Sequence, residues 1–407
     1  MQYKFYMKVL QINAVYGHGS TGVITRDIEQ LCESSGIECY VASPDPKVRE
    51  AKRGFLIGNV LDHKLHALFC RVAGKQAYFS RLATKRLLAY MDEVRPDIVH
   101  LHNLHSNYIH LNMLLQYLAE KDIRTIVTLH DCWFYTGGCF HYTAAGCMRW
   151  LEDCGHCPKK KQDTPAYLWD CSANILADRK KYLLAIPRLT VIGVSEWISN
   201  EAKRTFLANT PVVTIRNGVD LDVFKPTSSD FRSRFGLEDK YIILGPASKW
   251  LQPVNKSVLT YFSEHMQADE VLLLFGATDC SLPMPRNVRL YGYTKEREEL
   301  AALYTCADVF VNTTREDSLS LINVEAQACG TPVVTFDATG PRETVDEVCG
   351  YAVHAGDSEL LYDAVMTVRV EKKDSFDEQC RGFVAANFEK GTNYQKYLNL
   401  YRQLVNE

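Results

Sequence analysis

Residues 314–343 constrain the fold of this chain more than any other stretch does. A short apolar run precedes them, apolar residues then recur at helical spacing up to a glycine, and a second short apolar run follows. These parts are, in order, 309–312, then Leu321, Val324 and Ala328, then Gly330, and finally 331–336. A strand, a helix and a strand in succession are typical of a parallel sheet covered by helices. We therefore expect an α/β fold that binds its ligand where strands end and helices begin.

Two carboxylates frame this predicted turn. Asp317 lies at the expected start of the helix, and Glu325 lies about two turns inside it. This spacing allows the pair to hold two parts of one ligand. An acid that stabilises the helix dipole, next to a second acid on a solvated face, is the alternative. The surrounding run of residues favours the ligand interpretation.

The same residues resemble the signature of a known family. Asp317-x7-Glu325 and the run AQACGTPVV at 326–334 are similar to the Glu-x7-Glu and Ala-x-x-x-Gly-x-Pro-Val-Val pattern of the retaining glycosyltransferases of family 4, including those of bacterial capsules and exopolysaccharides. The first acid is Asp where the family has Glu. Glu316 stands beside it, but the register favours Asp317 as the residue that reaches the sugar.

The resemblance implies the GT-B fold, which has two Rossmann-like domains facing a cleft and a C-terminal helix that crosses back to the first domain. We expect an acceptor-side domain at 1–210 that ends in a strand at 189–195, a nucleotide-sugar domain at 211–385 and the returning helix at 386–407. The implied reaction moves a sugar from a UDP- or GDP-sugar to a hydroxyl acceptor and retains the anomeric configuration. The acceptor would be a lipid-linked or surface-polysaccharide glycan, and the chemistry would need no cofactor.

Composition agrees with two soluble domains. The chain has 407 residues, of which 46% are hydrophobic and 23% are charged, and its net charge of −3 gives no case for a nucleic-acid partner. It contains no apolar run of about 18 residues, and residues 1–10 are too short and polar for a signal peptide. The 14 cysteines, without such a signal, favour reduced thiols and a cytoplasmic location.

A glycine-rich turn follows the first predicted strand. Gly19, Ser20, Thr21 and Gly22 precede a helix expected from about residue 23. Glycines let backbone N–H groups approach a phosphate closely, and the resemblance places this loop near the donor diphosphate. The run lacks both the dinucleotide fingerprint and the P-loop lysine, so a tight turn without a ligand is an equal alternative.

The segment 47–86 is basic and partly apolar. It carries ten Lys or Arg residues against two acids, with large apolar side chains between them. This mixture suits a surface that lies on anionic lipid at the inner face of the plasma membrane or holds a lipid-linked diphosphate. A solvated helix face beside a buried one explains it equally well.

Two predicted strands end in histidine. His102 and Asn103 follow one of them, and His130 follows the other. A histidine in such a place is more often a packed or capping residue. The resemblance implies that His130 contacts the donor sugar, with His102 and Asn103 behind it or on the acceptor side.

A cysteine-rich insertion spans 132–157. Cys139, Cys147, Cys154 and Cys157 have the spacing Cys-x7-Cys-x6-Cys-x2-Cys, which can hold a structural zinc ion. Reduced thiols along a loop are an even alternative, and a disulfide pair is a third.

The second domain supplies the remaining candidates. The resemblance implies that Lys256, with Lys249, neutralises the donor diphosphate, that Asp317 contacts sugar hydroxyls and that Glu325 binds the ribose. It also places the donor against two further groups of residues. These are Gly292 and Tyr293 near the base, and Ser318, Leu319, Ser320 and Leu321 at the helix start.

Two other classes of function remain open. A dinucleotide-dependent dehydrogenase or epimerase would need the ordered glycine fingerprint that the first loop lacks. A zinc-stapled, non-catalytic protein of the same fold that binds nucleotide-sugar or glycan is the second. Turnover of a nucleotide-sugar discriminates both from a transferase.

Overall fold

A computed structural model describes residues 7–163, 165–279, 284–294 and 296–407. The chain divides into two compact units. The first runs to Ile215 and also includes Tyr394–Glu407, and the second is Arg216–Asn393.

The first unit contains a parallel sheet, and seven strands of it lie in the described residues, in the order β3-β2-β1-β4-β5-β6-β7. The strands are β1 (Lys8–Ile12), β2 (Glu38–Ser43), β3 (Gly54–Leu56), β4 (Ile98–Leu101), β5 (Arg124–Leu129), β6 (Leu189–Gly193) and β7 (Val212–Thr214). The helices between them are α1 (Gly19–Ser34), α2 (Val60–Ala73), α3 (Arg81–Val94), α4 (Leu111–Glu120), α5 (Ser172–Leu184) and α6 (Glu196–Lys203).

The expectation that 189–195 is the last strand of this sheet is wrong. Val212 of β7 pairs with Val191 of β6, so β7 is the last strand at that edge of the sheet. This strand has only three residues, none of them fully buried. It therefore carries little of the apolar signal by which sequence reveals a strand.

The second unit contains another parallel sheet, with six strands in the described residues, in the order β10-β9-β8-β11-β12-β13. The strands are β8 (Tyr241–Pro246), β9 (Glu270–Phe275), β10 (Val288–Tyr291), β11 (Val309–Asn312), β12 (Val333–Asp337) and β13 (Gly350–His354). The helices are α7 (Phe231–Arg234), α8 (Ala247–Trp250), α9 (Lys256–His265), α10 (Arg297–Cys306), α11 (Leu321–Ala328), α12 (Ser358–Glu371) and α13 (Asp377–Phe388).

Each sheet has one point where the strand order reverses. In the first sheet it lies between β1 and β4, and in the second it lies between β8 and β11. Helices that leave two neighbouring strands in opposite directions open a crevice at the carboxyl ends of those strands. The fold therefore marks one ligand-binding edge on each sheet, and the predicted α/β architecture with two Rossmann-like domains is confirmed.

The C-terminal helix α14 (Lys390–Asn406) returns to the first unit, as predicted. Tyr394, Tyr397 and Tyr401 are buried in the same apolar cluster as Val9 and Ile98. The phenolic oxygen of Tyr401 lies 2.7 Å from Nδ1 of His100 in the middle of the sheet. Burial of these aromatic rings is what fastens the end of the chain to the first domain.

We predict that acid weakens the fold through His100. Its pKa is about 6.5 in an unfolded chain, and burial lowers it to about 3 in the folded protein, so the unfolded chain takes up a proton first. The stability is fully present above pH 6.5 and is lost as the pH falls towards the folded value, by about 1.4 kcal/mol per pH unit for this group. Urea unfolding between about pH 7.5 and pH 5 measures the loss.

The comparison protein is His100→Asn. Its unfolding free energy is lower at every pH because contacts to Tyr401 are lost, but its slope against pH is flatter by about one proton. Equal slopes for the two proteins would contradict the assignment.

Candidate active site

In the second unit, Asn255 connects the two loops at the ligand-binding edge. Its amide nitrogen Nδ2 donates to the backbone oxygens of Lys249 (3.0 Å) and Thr313 (2.8 Å), and its Oδ1 accepts from Nε of Arg315 (2.9 Å). The loop that follows β8 and the loop that follows β11 are therefore held together by one buried side chain. Sequence analysis missed Asn255 and Arg315, and only the adjacency of Asn255 to Lys256 could have drawn attention to it.

Three cations lie in these loops. Lys249 is half-buried in the short helix α8 that directly follows β8, Lys256 is exposed as the first residue of α9, and Arg315 is half-buried in the loop after β11. The side chain of Asn255 provides no cap for α9, so the positive end of that helix adds to the charge of Lys256. This arrangement suits a multiply charged anion such as a diphosphate.

The loop that carries Asp317 is fixed by the turn that follows β12. The backbone oxygen of Asp317 accepts from Oγ1 of Thr339 (2.8 Å) and from the N–H of Gly340 (3.2 Å). A Cβ atom on Gly340 would lie 1.8 Å from the backbone oxygen of Ser318, so only glycine fits there. The half-buried carboxylate of Asp317 accepts from the N–H of Ser318 at 2.7 Å.

The following residues lead into α11. Leu319 and Ser320 are buried, and the hydroxyl of Ser320 accepts from Nδ2 of Asn312 at 2.8 Å. Leu321, the first residue of α11, is half-buried. The hydroxyl of Ser318 is buried and has no partner in the described part of the chain.

Glu325 lies inside α11, half-buried. Its Oε2 accepts from the hydroxyl of Tyr304 at 3.2 Å, and Tyr304 packs against Phe310 and Phe275. Burial raises the pKa of Glu325 to about 7, against the opposing effects of Arg297 and Tyr304. A carboxylate with so little solvation gains from a ligand that offers hydroxyl groups to it.

Gly292 and Tyr293 follow the outer strand β10. Tyr293 is 82% exposed, and its ring lies near the backbone of Gly276. Such an open aromatic ring offers a flat apolar surface to a base.

In the first unit, the expectation of a glycine-rich loop before the helix is wrong in one respect. Gly19, Ser20, Thr21 and Gly22 form the first turn of α1 itself, and the side chain of the preceding His18 does not cap it. Gly22 packs closely on the loop after β1, where a Cβ would lie 3.2 Å from the backbone nitrogen of Tyr16. The run thus has a packing role, and its N–H groups still point to the ligand-binding edge of a parallel sheet.

His130 follows β5 and is half-buried. Its Nε2 lies 3.0 Å from Nδ1 of the fully buried His102, and the two rings stack with centroids 5.3 Å apart. Burial lowers the pKa of His130 to about 4, so the ring is neutral at neutral pH. Because His102 is enclosed, it can act on a ligand only through His130.

Two family models match the chain. One is described as Glycosyltransferase Family 4 and matches residues 21–223, and the other is described as Glycosyl transferases group 1 and matches residues 260–369. The chain belongs to the family 4 glycosyltransferases. The resemblance first read from Asp317, Glu325 and the run that follows is thereby confirmed.

Named relatives within the family align over part of their length. The D-inositol 3-phosphate glycosyltransferase of Mycolicibacterium smegmatis is 30% identical over 264 residues, which cover 56% of this chain and 58% of that protein. The chain thus spans about half the length of the curated relatives it matches.

Solved structures match nearly the whole chain. Sucrose-phosphate synthase from Thermosynechococcus elongatus has a TM-score of 0.70 at 17% identity and covers 98% of this chain and 99% of its own. Anabaena HepE, solved with UDP and glucose, has a TM-score of 0.63 at 12% identity and covers 98% and 100%. At these identities the likeness concerns the fold, and it confirms the family's GT-B architecture.

A zinc site was one of three alternatives for the four cysteines, and none is found in the described residues. Among the described residues, no group of three or more His, Cys, Asp or Glu side chains is arranged to hold a metal ion. Cys139, Cys147, Cys154 and Cys157 do line one cavity of about 20 Å³. Burial raises the pKa of Cys139 to about 12 and that of Cys154 to about 11.

The insertion instead packs around aromatic side chains. Trp133 is fully buried and Trp150 nearly so, and the guanidinium of Arg179 lies 3.7 Å from the centre of the Trp133 ring system. Cysteine spacing cannot show this packing, because it depends on α5, which follows the insertion.

We predict that Glu325→Gln stabilises the protein in the absence of nucleotide. The folded pKa of about 7 exceeds the ordinary value of 4.5, so this group's stability is fully present below pH 4.5 and is lost as the pH rises through 7. At about pH 8 the charge costs about 1–3 kcal/mol, and glutamine keeps an acceptor for Tyr304. Urea unfolding at about pH 8 and pH 5 measures the difference, which should shrink at the lower pH; an equal difference at both would refute it.

Proposed function

We propose that the protein transfers a sugar from a UDP- or GDP-sugar to a hydroxyl of a glycan or lipid-linked acceptor, with retention of the anomeric configuration. The observation that carries the proposal is the set of groups at the reversal point of the second sheet. Cations on the loops after β8 and β11 lie at the edge from which α11 carries a poorly solvated carboxylate. A nucleoside diphosphate offers both the anion and the ribose hydroxyls that these groups need.

The family membership supports a role for each group. Glu325 binds the ribose, Asp317 binds hydroxyls of the transferred sugar, and Lys256, with Lys249, binds the diphosphate. His130 contacts the sugar from the first unit. Gly292 and Tyr293 contact the base, and the backbone of 318–321 and of 19–22 offers N–H groups to the donor.

The chemical step needs no side chain as a nucleophile. The acceptor oxygen forms the new bond to the anomeric carbon on the face from which the diphosphate leaves. The bond from that carbon to the phosphate oxygen breaks, and the acceptor proton passes to the departing oxygen. Lys256, Lys249 and the amino end of α9 stabilise the negative charge that develops there.

Lys256→Ala tests the diphosphate role. We expect it to weaken UDP or GDP binding about tenfold, as loss of a charge-assisted hydrogen bond does, and to leave binding of the nucleoside unchanged. Glu325→Ala should weaken both ligands, because both contain the ribose. Thermal unfolding with each ligand reports the affinities.

Lys225→Ala, which removes an exposed lysine elsewhere in the same unit, is the matched control and should bind like the unmodified protein. A Lys256→Ala variant that loses nucleoside and nucleotide binding equally contradicts the assignment. A panel of UDP- and GDP-hexoses, followed for sugar release, then identifies the donor. Binding without turnover of any of them would favour the non-catalytic binding protein instead.

We further propose that the acceptor lies in a membrane and that the first unit docks on anionic lipid. Helix α2 is well defined, since Asn59 and Asp62 form a reciprocal capping box and Gly74 ends it in a left-handed conformation. The helix nevertheless leaves large apolar residues exposed. They are Val60 (66%), Leu61 (65%), Leu65, Leu68, Phe69 and Val72.

A second segment extends this surface. Tyr167, Leu168 and Trp169 are exposed, and the N–H of Tyr167 donates to the backbone oxygen of Arg71 at the end of α2. Sequence analysis placed the surface in 47–86 alone and missed this part, which is about 100 residues further along the chain. Exposed aromatic and apolar side chains beside Lys64 and Arg71, both exposed, are what an anionic lipid surface binds. No helix in the described ranges is long and apolar enough to span a bilayer.

Flotation with vesicles of phosphatidylcholine, with and without phosphatidylglycerol, tests the docking surface. The protein should float with the anionic vesicles and lose most of this binding when Leu68 and Phe69 are both changed to Ser. Val370→Ser, which removes another exposed apolar residue (81%) from the second unit, is the control. Binding that the double substitution leaves intact overturns the assignment, and self-association without lipid binding would identify a protein partner.

A further inference from the structure

Gln11, His102 and His130 form one hydrogen-bonded chain of side chains below the ligand-binding edge of the first sheet. Oε1 of Gln11 lies 3.1 Å from Nε2 of His102, and Nδ1 of His102 lies 3.0 Å from Nε2 of His130. These residues come from or directly follow the neighbouring strands β1, β4 and β5. Gln11 and His102 are fully buried, and His130 is half-buried.

The orientation of the Gln11 amide is fixed at its other end. Its Nε2 lies 3.1 Å from the backbone oxygen of Thr25 and 3.3 Å from Sγ of Cys39. A backbone oxygen can only accept, so the NH₂ group must face it. The amide oxygen of Gln11 therefore faces His102.

This orientation determines which nitrogen of each ring carries a proton. Nε2 of His102 must donate to the amide oxygen, so the other nitrogen of that neutral ring, Nδ1, is an acceptor. Nε2 of His130 must then be the donor to it. In a neutral ring, that leaves Nδ1 of His130 without a proton. Burial lowers the pKa of both histidines, so both rings are neutral at neutral pH.

We propose that Gln11 and His102 are positioning residues that hold His130 as its Nε2–H tautomer, so that Nδ1 of His130 accepts a hydrogen bond from a hydroxyl of the donor sugar. The proposal rests on the proposed function in its choice of ligand. In the described part of the chain, the hydrogen bond that His130 makes runs through Nε2 and not through Nδ1, and the ring lies where β5 ends, at the edge to which parallel strands direct their ligands.

The tautomer sets a requirement on the substrate. An unprotonated nitrogen accepts a hydrogen bond from a sugar hydroxyl. It forms none with a deoxy carbon, which has no hydroxyl, and it repels a carboxylate oxygen, which can only accept. The donor should therefore be a hexose with a hydroxyl at the facing carbon. A uronic acid or a deoxy sugar with its changed carbon at that position should be a poorer donor.

The direct test is ¹⁵N NMR of the histidine rings in the full-length protein at neutral pH, with no ligand added. Long-range ¹H–¹⁵N correlations distinguish a protonated ring nitrogen from a bare one, and the His130→Gln variant assigns the signals of residue 130. We expect protons on Nε2 of both His102 and His130. A proton on Nδ1 of His130 overturns the proposal.

Two substitutions of His102 distinguish an effect of the hydrogen-bond relay from Gln11 through His102 to His130 from an effect of packing alone. In His102→Gln, the amide can still accept from His130 and donate to Gln11, so the His130 tautomer should persist and kcat/KM for the donor should stay within about threefold. In His102→Leu the acceptor is lost, so the Nδ1-H form should appear and kcat/KM should fall about tenfold, as loss of one hydrogen bond predicts.

His100→Asn changes a ring that packs against His102 but takes no part in the hydrogen bonds between Gln11, His102 and His130. It is the control for a change in packing alone, and it should keep the tautomer of His130. If His102→Leu also keeps it, the relay is refuted. The NMR result does not depend on any donor, so a failure of the relay is distinguishable from a failure of the proposed transferase activity. If only the proposed transferase activity fails, His130 will still be in its Nε2–H form, but the protein will turn over no UDP- or GDP-hexose.

Discussion

The parallel pairing of β8 with β11 is the constraint on which the proposed donor site depends. Ile243 lies opposite Val309 and Leu244 opposite Phe310, so the two strands end side by side although the paired residues are 66 positions apart in the sequence. Their loops then meet, and the buried amide of Asn255 fastens one loop to the other. Without this pairing, Lys249, Arg315 and the start of α11 would belong to separate parts of the surface.

Poor solvation gives the groups at this edge their chemical character. Glu325 lies against Tyr304 inside a helix, and burial makes its charge costly until a ligand supplies hydroxyl groups. In the first unit, burial likewise keeps the ring of His130 neutral, so it can form hydrogen bonds without bringing a charge. The cations are less enclosed, which suits a diphosphate that must enter and leave. In the proposed function, stability given up at these residues is recovered when a nucleotide-sugar binds.

How far sequence could predict the site varied with the kind of evidence. The strands, the helix and the two acids of 314–343 were predicted because each depends on residues close together in the chain. Asn255 and Gln11 were missed because a single polar residue carries no periodic signal, and its role depends on partners such as Thr313 and Thr25. The spacing of the four cysteines left zinc, free thiols and a disulfide open, and it could not show that the segment packs around Trp133 and Trp150, since no metal-holding group is found in the described residues.

The sequence by itself determined the fold class and the family, because apolar periodicity and a contiguous motif are local properties, and it singled out Asp317, Glu325, Lys256 and His130 as the residues proposed for the site. Tertiary structure alone decided which loops meet, which groups lose their solvent and which ring nitrogen carries a proton. It also brought Trp169 to the end of α2 and so completed the exposed apolar surface. These features depend on contacts between distant parts of the chain, and such contacts exist only after the sheets have formed.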